Sequence, residues 1–342
     1  MKQLLKLSND TDIYYTCNKC MSYNAFLNVI MGGRGIGKTT TFLILSLSRC
    51  FNKGEQFIYL RRYKPEIKEF VSKDSLFPIL EGVAYKGDGN GGFLMAHEDT
   101  RLGYAIPLSV TGSYKSVDFS KVSLIIYDEA IIPRGGTYRY LKNEVEMLLE
   151  FASTVFRTRT NTKIVVLGNN TDLFNPFFGY FKVPTFTDVY YDKKRGLYCE
   201  MPKNSPKLLE LEKKTPLYSL IEGTSYGDYH YENKVLGSIP TRIIVKPGDC
   251  RLFIRLRMND DTLNLYTYWR QGEQYIYCER KERVIDDSIT YPILEDSIPN
   301  YYYVDLLKKK FKGFIFRLYF NDQFGFSDDK AGDIFKWIVD NI

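Results

Sequence analysis

A chain of 342 residues, 44% hydrophobic and 26% charged with 25 Gly and 13 Pro, is too long for one small module and too apolar for a disordered or collagen-like polymer. Its 47 basic and 41 acidic residues leave a net charge of +6, which disfavours a strongly anionic role and leaves the partner open. Only two histidines, His97 and His230, are present, so a multi-histidine metal site or a His-based triad has almost no material.

In chain order, residues 25–31 (AFLNVIM) read as a strand running into a Gly-rich turn, and 39–51 continue at helical spacing. Residues 56–62 (QFIYLRR) make a second strand, with Pro65 where a helix would begin. Two-residue alternation broken by glycines over 83–110 suggests an inserted β-hairpin. The continuous apolar runs 122–127 (VSLIIY) and 163–167 (KIVVL) read as strands buried on both faces, separated by a helical stripe over 141–156. This alternation predicts a parallel sheet with helices on both faces. Residues 201–238, with Pro202, Pro206 and Pro216, read as a connecting segment holding one short helical patch at 207–214. Beyond Pro240, the runs 251–257, 262–268 and 274–278 form an antiparallel meander, and 330–342 is amphipathic. The expected division is therefore 1–200, a linker 201–239, and 240–342. Residues 1–200 hold 26 basic and 20 acidic residues against 21 of each in 201–342, so the whole excess charge lies in the first part. Lys308, Lys309, Lys310 and Lys312 beside Phe311 and Phe314 form a local cluster, either a solvated surface or a nucleic-acid contact.

The 28 tyrosines fall mostly in alternating stretches, where strand filling outweighs base stacking. Six cysteines show no framework spacing and follow no signal-peptide pattern, so a reduced, cytosolic chain is expected. Cys17 and Cys20 form a C-x-x-C that lacks the second pair of a zinc site. No apolar run approaches the ~20 residues of a membrane span, so a soluble protein with no membrane partner is expected.

Residues 32–39, Gly32-Gly33-Arg34-Gly35-Ile36-Gly37-Lys38-Thr39, fit G-x-x-x-x-G-K-[ST] between a strand and a helix. Such a loop turns backbone N–H groups inward around phosphates, Lys38 reaches the β- and γ-phosphates, and the Thr39 hydroxyl ligates Mg2+. Thr40 and Asn169 complete the candidate nucleotide contacts, Asn169 and Asn170 being either γ-phosphate sensors or turn residues. The strand 122–127 ends in Asp128-Glu129, at the sheet edge where open α/β sheets bind ligands. There Asp128 suits hydrated Mg2+ and Glu129 suits polarisation of the attacking water, as in additional-strand, catalytic-glutamate ATPases. No guanine-reading N-K-x-D is suitably placed, so ATP is the expected nucleotide. Arg157 and Arg159 at the end of the 141–156 helix are either dipole partners or a cationic finger offered to a neighbouring subunit.

Residues 31–38 (MGGRGIGK), 54–66 (GEQFIYLRRYKPE), 105–110 (AIPLSV), 126–130 (IYDEA), 143–145 and 154–157 (TVFR) closely resemble the DNA-packaging ATPases of phi29-like tailed bacteriophages, and the resemblance continues through 220–227 (LIEGTSYG). The resemblance implies a ring motor, a pentamer in the family, that drives double-stranded DNA through the portal of a prohead with ATP hydrolysis. It implies a place in the host cytoplasm and transiently at the portal vertex, not in the mature virion. By motif match it makes Lys38 and Thr39 the phosphate-loop pair, Asp128 and Glu129 the magnesium and water-activating acids, and Arg157 a finger acting in trans. Lys64 matches a lysine the family places near the subunit interface, and family members also attach through a packaging RNA.

The family's second domain resembles an RNase H-type nuclease that has lost cutting activity. The fold class expected is thus α/β, an additional-strand P-loop ATPase domain followed by a smaller RNase H-like α+β domain. Residues 250–257 (CRLFIRLR), the opening strand of the meander, lack the acid that a two-metal nuclease needs there, and their arginines suit a phosphate backbone or an RNA surface. Asp260, Asp261, Asp286 and Asp287 keep open the alternative of a terminase-type ATPase with an active nuclease domain. Residues 86–101 and 115–121 are candidate DNA-gripping segments.

Overall fold

The computed structural model describes residues 12–71, 83–95, 100–132, 139–170, 175–183, 188–231, 243–259, 261–282, 290–295, 298–321 and 323–342. It is an α/β protein of two compact units whose stretches of chain interleave. The first comprises Met1–Ile132, Leu141–Asn170 and Pro184–Lys234; the second comprises Pro133–Tyr140, Thr171–Val183 and Val235–Ile342.

The first unit is built on a nine-stranded mixed sheet. Its strands are β1 (Leu27–Gly32), β2 (Gln56–Arg61), β3 (Ala84–Gly87), β4 (Gly92–Met95), β5 (Arg101–Pro107), β6 (Val122–Tyr127), β7 (Lys163–Asn169), β8 (Val189–Asp192) and β9 (Leu197–Glu200), in the order β3-β4-β5-β2-β6-β7-β1-β9-β8. The six central strands, β5 to β9 in that order, are parallel, while β3-β4-β5 and β8-β9 pair antiparallel at the two edges. Every residue of β1 and β6 is buried, as expected of parallel strands covered on both faces. The glycine-broken alternation is the β3-β4 hairpin, added to the edge of the sheet through β5. Strand β7 lies between β1 and β6, parallel to both, so the two strands that carry the predicted site motifs are not neighbours.

Helix α1 (Asn18–Ser22) precedes β1, α2 (Lys38–Lys53) follows it, α3 (Lys64–Phe70) follows β2, and α4 (Glu144–Phe156) leads into β7. The stretch read from sequence as a connecting segment carries α6 (Pro206–Glu212), α7 (Pro216–Ile221) and α8 (Ser225–Tyr231), all within the first unit; residues 232–239 lie outside the described residues. Two of the prolines taken as breaks are helix starts. Ser205 and Thr215 accept from the backbone N–H of Leu208 and Tyr218, and the proline after each cap is pre-set for the first turn.

The second unit has a six-stranded sheet. Strands β10 (Arg251–Met258), β11 (Asp261–Arg270) and β12 (Glu273–Glu282) form the expected antiparallel meander. Gln271 and Gly272 both have positive φ, 53° and 81°, as a two-residue hairpin turn between twisted strands requires. Strand β13 (Thr290–Glu295) lies parallel to β10, β14 (Ile298–Pro299) antiparallel to β13, and β15 (Phe324–Phe326) parallel to β12. Helices α9 (Tyr301–Phe320) and α10 (Asp329–Asn341) supply Leu307, Ile315, Ile334, Phe335 and Ile338 to a core shared with Ile254, Leu256 and Leu265 of the sheet. Helix α5 (Pro176–Tyr180) also belongs to this unit.

Candidate active site

The phosphate-loop candidate turns from the end of β1 into α2. Gly37, at φ 92°, occupies the left-handed region that favours glycine, and α2 begins at the next residue. A Cβ at Gly32 would come within 2.9 Å of Pro202 and 2.8 Å of Ile36, so the loop sits tightly against the chain that leaves β9. Ile36 is buried, Arg34 is exposed at the loop tip, and Thr40 is half-buried in the first turn of α2.

Lys38 is only 8% exposed. Its ammonium donates to the carbonyls of Gly32 at 2.9 Å and Gly33 at 2.6 Å, and to Asn169 Oδ1 at 3.3 Å. The ends of β1 and β7 are thereby joined by one cation. Burial lowers the Lys38 pKa to about 8, with Asp128 opposing the shift and Arg34 adding to it. Asn170, beside Asn169, donates its backbone N–H to Gly32 O at 3.3 Å.

The second motif closes on the first. Thr39 Oγ1 donates to Asp128 Oδ2 at 2.9 Å, a contact between residues 89 positions apart. Tyr59 OH, from β2, donates to the same oxygen at 2.8 Å, and Glu129 N donates to Asp128 Oδ1 at 2.9 Å. Asp128 is thus a buried carboxylate aimed by three donors. Glu129 has φ 51°, its side chain is 58% exposed, and Oε2 pairs with Arg61 NH1 at 2.5 Å. Nothing in sequence spacing singles out Tyr59 or Arg61; both lie in a strand where aromatic and apolar residues read as filling.

A match over residues 9–305 to the Podovirus DNA encapsidation protein (Gp16) family covers most of the chain. The chain belongs to that family. The DNA packaging protein of Bacillus phage phi29 is 32% identical over 275 residues, 78% of this chain and 79% of the relative. That of Bacillus phage B103 is 36% identical over 218 residues, 63% of this chain and 65% of the relative. Among solved structures, the bacteriophage Phi-29 viral genome packaging motor assembly aligns with 95% of this chain and 99% of its own, at a TM-score of 0.57 and 25% identity. The Phi-28 gp11 DNA packaging motor aligns with 96% and 97% at a TM-score of 0.53 and 19% identity, a likeness of fold.

In this encapsidation protein, Lys38, Thr39, Asp128, Glu129 and Asn169 come together as one cluster. Arg157 lies elsewhere. It ends α4, whose 13 residues at ~1.5 Å each carry it about 20 Å from the helix start and toward the sheet edge where β7 begins. Arg157 is exposed and holds φ 50°, ψ −119°, an unusual conformation for a side chain larger than glycine. Arg159 has the other role left open for it: its guanidinium donates to the carbonyls of Ser120, Val122, Phe119 and Val155 at 2.5–2.9 Å, closing off strand and helix ends. Lys64, exposed at the start of α3, donates to the Gly89 carbonyl in the β3-β4 turn.

The C-x-x-C cysteines are buried thiols. Burial pushes Cys20 up to about 12 and Cys17 upward as well, the reverse of what a thiolate ligand needs. Among the described residues, no helix is long and apolar enough to cross a membrane, and no group of three or more His, Cys, Asp or Glu stands ready to hold a metal ion. In the second unit, Arg255 donates to Asn264 Oδ1 at 2.9 Å and Arg257 pairs with Glu295 at 2.9 Å. Both carboxylate oxygens of Asp261 are engaged, by Arg280 at 2.9 Å and Lys330 at 2.7 Å. Asp260, Asp286 and Asp287 lie outside the described residues. In the basic cluster on α9 the four lysines are exposed, whereas Phe311 and Phe314 turn onto Phe253 at 5.2 and 5.0 Å.

Proposed function

We propose that this encapsidation protein is an ATP-hydrolysing motor of the additional-strand, catalytic-glutamate kind, which moves double-stranded viral DNA into a prohead. The Thr39–Asp128 hydrogen bond carries the reading. It joins a phosphate loop to a strand-end carboxylate, with a second acid beside it and β7 standing between their two strands. A hydroxyl and a carboxylate are hard oxygen donors suited to Mg2+, which takes one or two protein oxygens and the rest from phosphates and water. The ion would supply charge neutralisation at the β- and γ-phosphates. Lys38 holds the phosphates, Tyr59 keeps Asp128 aimed, and Glu129, once released by Arg61, orients the attacking water.

Arg157 is the proposed finger to a neighbouring subunit in a homo-oligomeric ring, a pentamer by family resemblance. Its exposure and its distance along α4 from the site of its own chain support that role. Lys64 is proposed to lie near the same interface. Packaging ignores DNA sequence, so contacts should be to backbone phosphates and affinity should fall steeply with salt. The first unit acts as motor in this reading, extending past the expected end at 200 to Lys234, and the second, chiefly 240–342, acts as an RNase H-like docking domain for the portal or packaging RNA. The meander with β13 parallel to β10, and the arginines of β10, support that assignment. The protein would work in the host cytoplasm and at the portal vertex.

DNA-stimulated ATP turnover by the Glu129→Gln variant tests the reading. It should be lost, and turnover at the wild-type rate would overturn the assignment. Mixing Arg157→Ala subunits with Glu129→Gln subunits should restore part of the activity, since one lacks the finger and the other the acid; no restoration at any ratio counts against a role in trans. Specific cleavage of plasmid DNA with Mg2+ or Mn2+ would instead favour an active nuclease domain.

A further inference from the structure

The most deeply buried ion pair described in the molecule plays no part in the mechanism above. Arg62 and Glu144 have side chains 2% and 0% exposed, and they meet as a two-pronged fork: Nε to Oε2 at 2.7 Å and NH2 to Oε1 at 2.9 Å. A buried pair of this kind adds little net stability, because desolvation of both charges offsets their attraction and apolar residues of equal size often serve as well. What the pair holds besides itself is therefore informative.

It holds both flanks of Asp128-Glu129. On one side, Tyr127 OH donates to Glu144 Oε1 at 2.8 Å. On the other, Arg62 NH2 donates to the Ala130 carbonyl at 2.6 Å, with NH1 at 3.5 Å from that of Glu129. Leu141 N donates to Glu144 Oε2 at 2.8 Å, so the chain is gripped again where it returns to the first unit. Glu129 itself sits at φ 51°. That left-handed conformation is unfavourable for a residue with a side chain and persists where its surroundings over-determine it. Backbone bonds from Asp128 N to Leu60 O at 3.0 Å and from Ala130 N to Leu167 O at 2.8 Å fix the turn to the sheet on both sides. Arg62 fixes the carbonyls that point the other way.

We propose that Arg62 and Glu144 are positioning residues for hydrolysis, holding the Glu129 backbone in the conformation that presents its carboxylate to the attacking water. They touch neither nucleotide nor water in this account. The inference rests on Glu129 being the water-activating acid.

The test uses the full chain with double-stranded DNA and magnesium ATP. Arg62→Lys keeps the charge and loses the fork; Glu144→Gln keeps the size and loses the charge; Tyr127→Phe removes one hydroxyl and serves if the first two fail to fold. Expected for folded variants is a kcat about tenfold or more below wild type with the KM for ATP within about twofold, the split of an interaction needed only in the transition state. In a Glu129→Gln background, followed by single turnover, the same changes should cause no further loss. A purely structural role would instead give losses that multiply with that of Glu129→Gln, or a raised KM at unchanged kcat, and either result overturns the proposal. So does wild-type kcat in a folded Arg62→Lys protein. Should Glu129→Gln alone retain wild-type turnover, the catalytic reading fails first; should it be inactive while Arg62→Lys is not, the positioning inference alone fails.

Discussion

At the scale of single residues, the site works by burying charge beside groups of fixed geometry. Lys38 is the clearest case, since desolvation lowers its pKa to about 8 and the role proposed for it is to grip phosphate as a cation. Below that pH the ammonium is charged; above it the charge is lost, so kcat/KM for ATP, which reports the free enzyme, should fall as pH rises through about 8. The contribution to stability runs the other way. Between about 8 and the ordinary 10.5, the unfolded chain binds a proton that the folded chain does not, so folding gains from Lys38 as pH rises through that window. Parallel pH profiles of kcat/KM and of the urea midpoint separate the two effects. Tyr59 offers a second check. Tyr59→Phe removes a buried donor from a carboxylate, a loss of about 1.5–3 kcal/mol for a hydrogen bond to a charged group. The variant should be destabilised by that order in urea melts, with DNA-stimulated turnover reduced because Asp128 Oδ2 is then aimed by Thr39 alone.

At the scale of elements, α4 combines a structural end with an exposed one. Arg159→Ala strips a shared charged donor from four carbonyls, that of Ser120 exposed and that of Phe119 still accepting from Val122 N, and should destabilise the protein by on the order of 1–2 kcal/mol, the loss expected for hydrogen bonds from a charged group at a part-exposed site. Arg157→Gly should do the opposite. It relieves a conformation costing about 1–3 kcal/mol in a residue with a Cβ, raising the melting temperature while removing the cation proposed to act in trans. A more stable protein with less DNA-stimulated ATP turnover on its own is the expected pair of outcomes. The elements also show why some of the fold is legible in sequence. Strands β1, β6 and β7 announce themselves as largely apolar runs, and the loop after β1 carries its own glycine spacing. Helices α6 and α7 do not, because proline at a first turn and proline in a loop look alike until the capping side chain is seen. Helix α9 is masked by its lysines and aromatics, and β8 and β9 are only four residues each. Tyr59, Arg61, Arg62 and Glu144 act through contacts far away in sequence, which no local spacing encodes.

At the scale of the whole molecule, the two units do not divide the chain at one point. The second owns two stretches inside the sequence of the first, and Arg139, from one of them, stacks its guanidinium 4.1 Å over the ring of Tyr301 in α9. A fragment ending at Lys234 keeps Arg139 and α5 and loses the rest of their unit. Phe177 and Phe178, buried in the full chain, should then become accessible, and limited proteolysis with mass spectrometry should find new cuts at 139–140 and 175–183 that the full protein lacks. The same interleaving limits how such a protein can diversify. A single recombination crossover, which suffices to trade a domain appended at one terminus, would here deliver the second unit without the two pieces lodged in the sequence of the first. Change in whatever the second unit does should therefore proceed among relatives by accumulated substitution across all three stretches, with compensating changes in the sequence of the first unit.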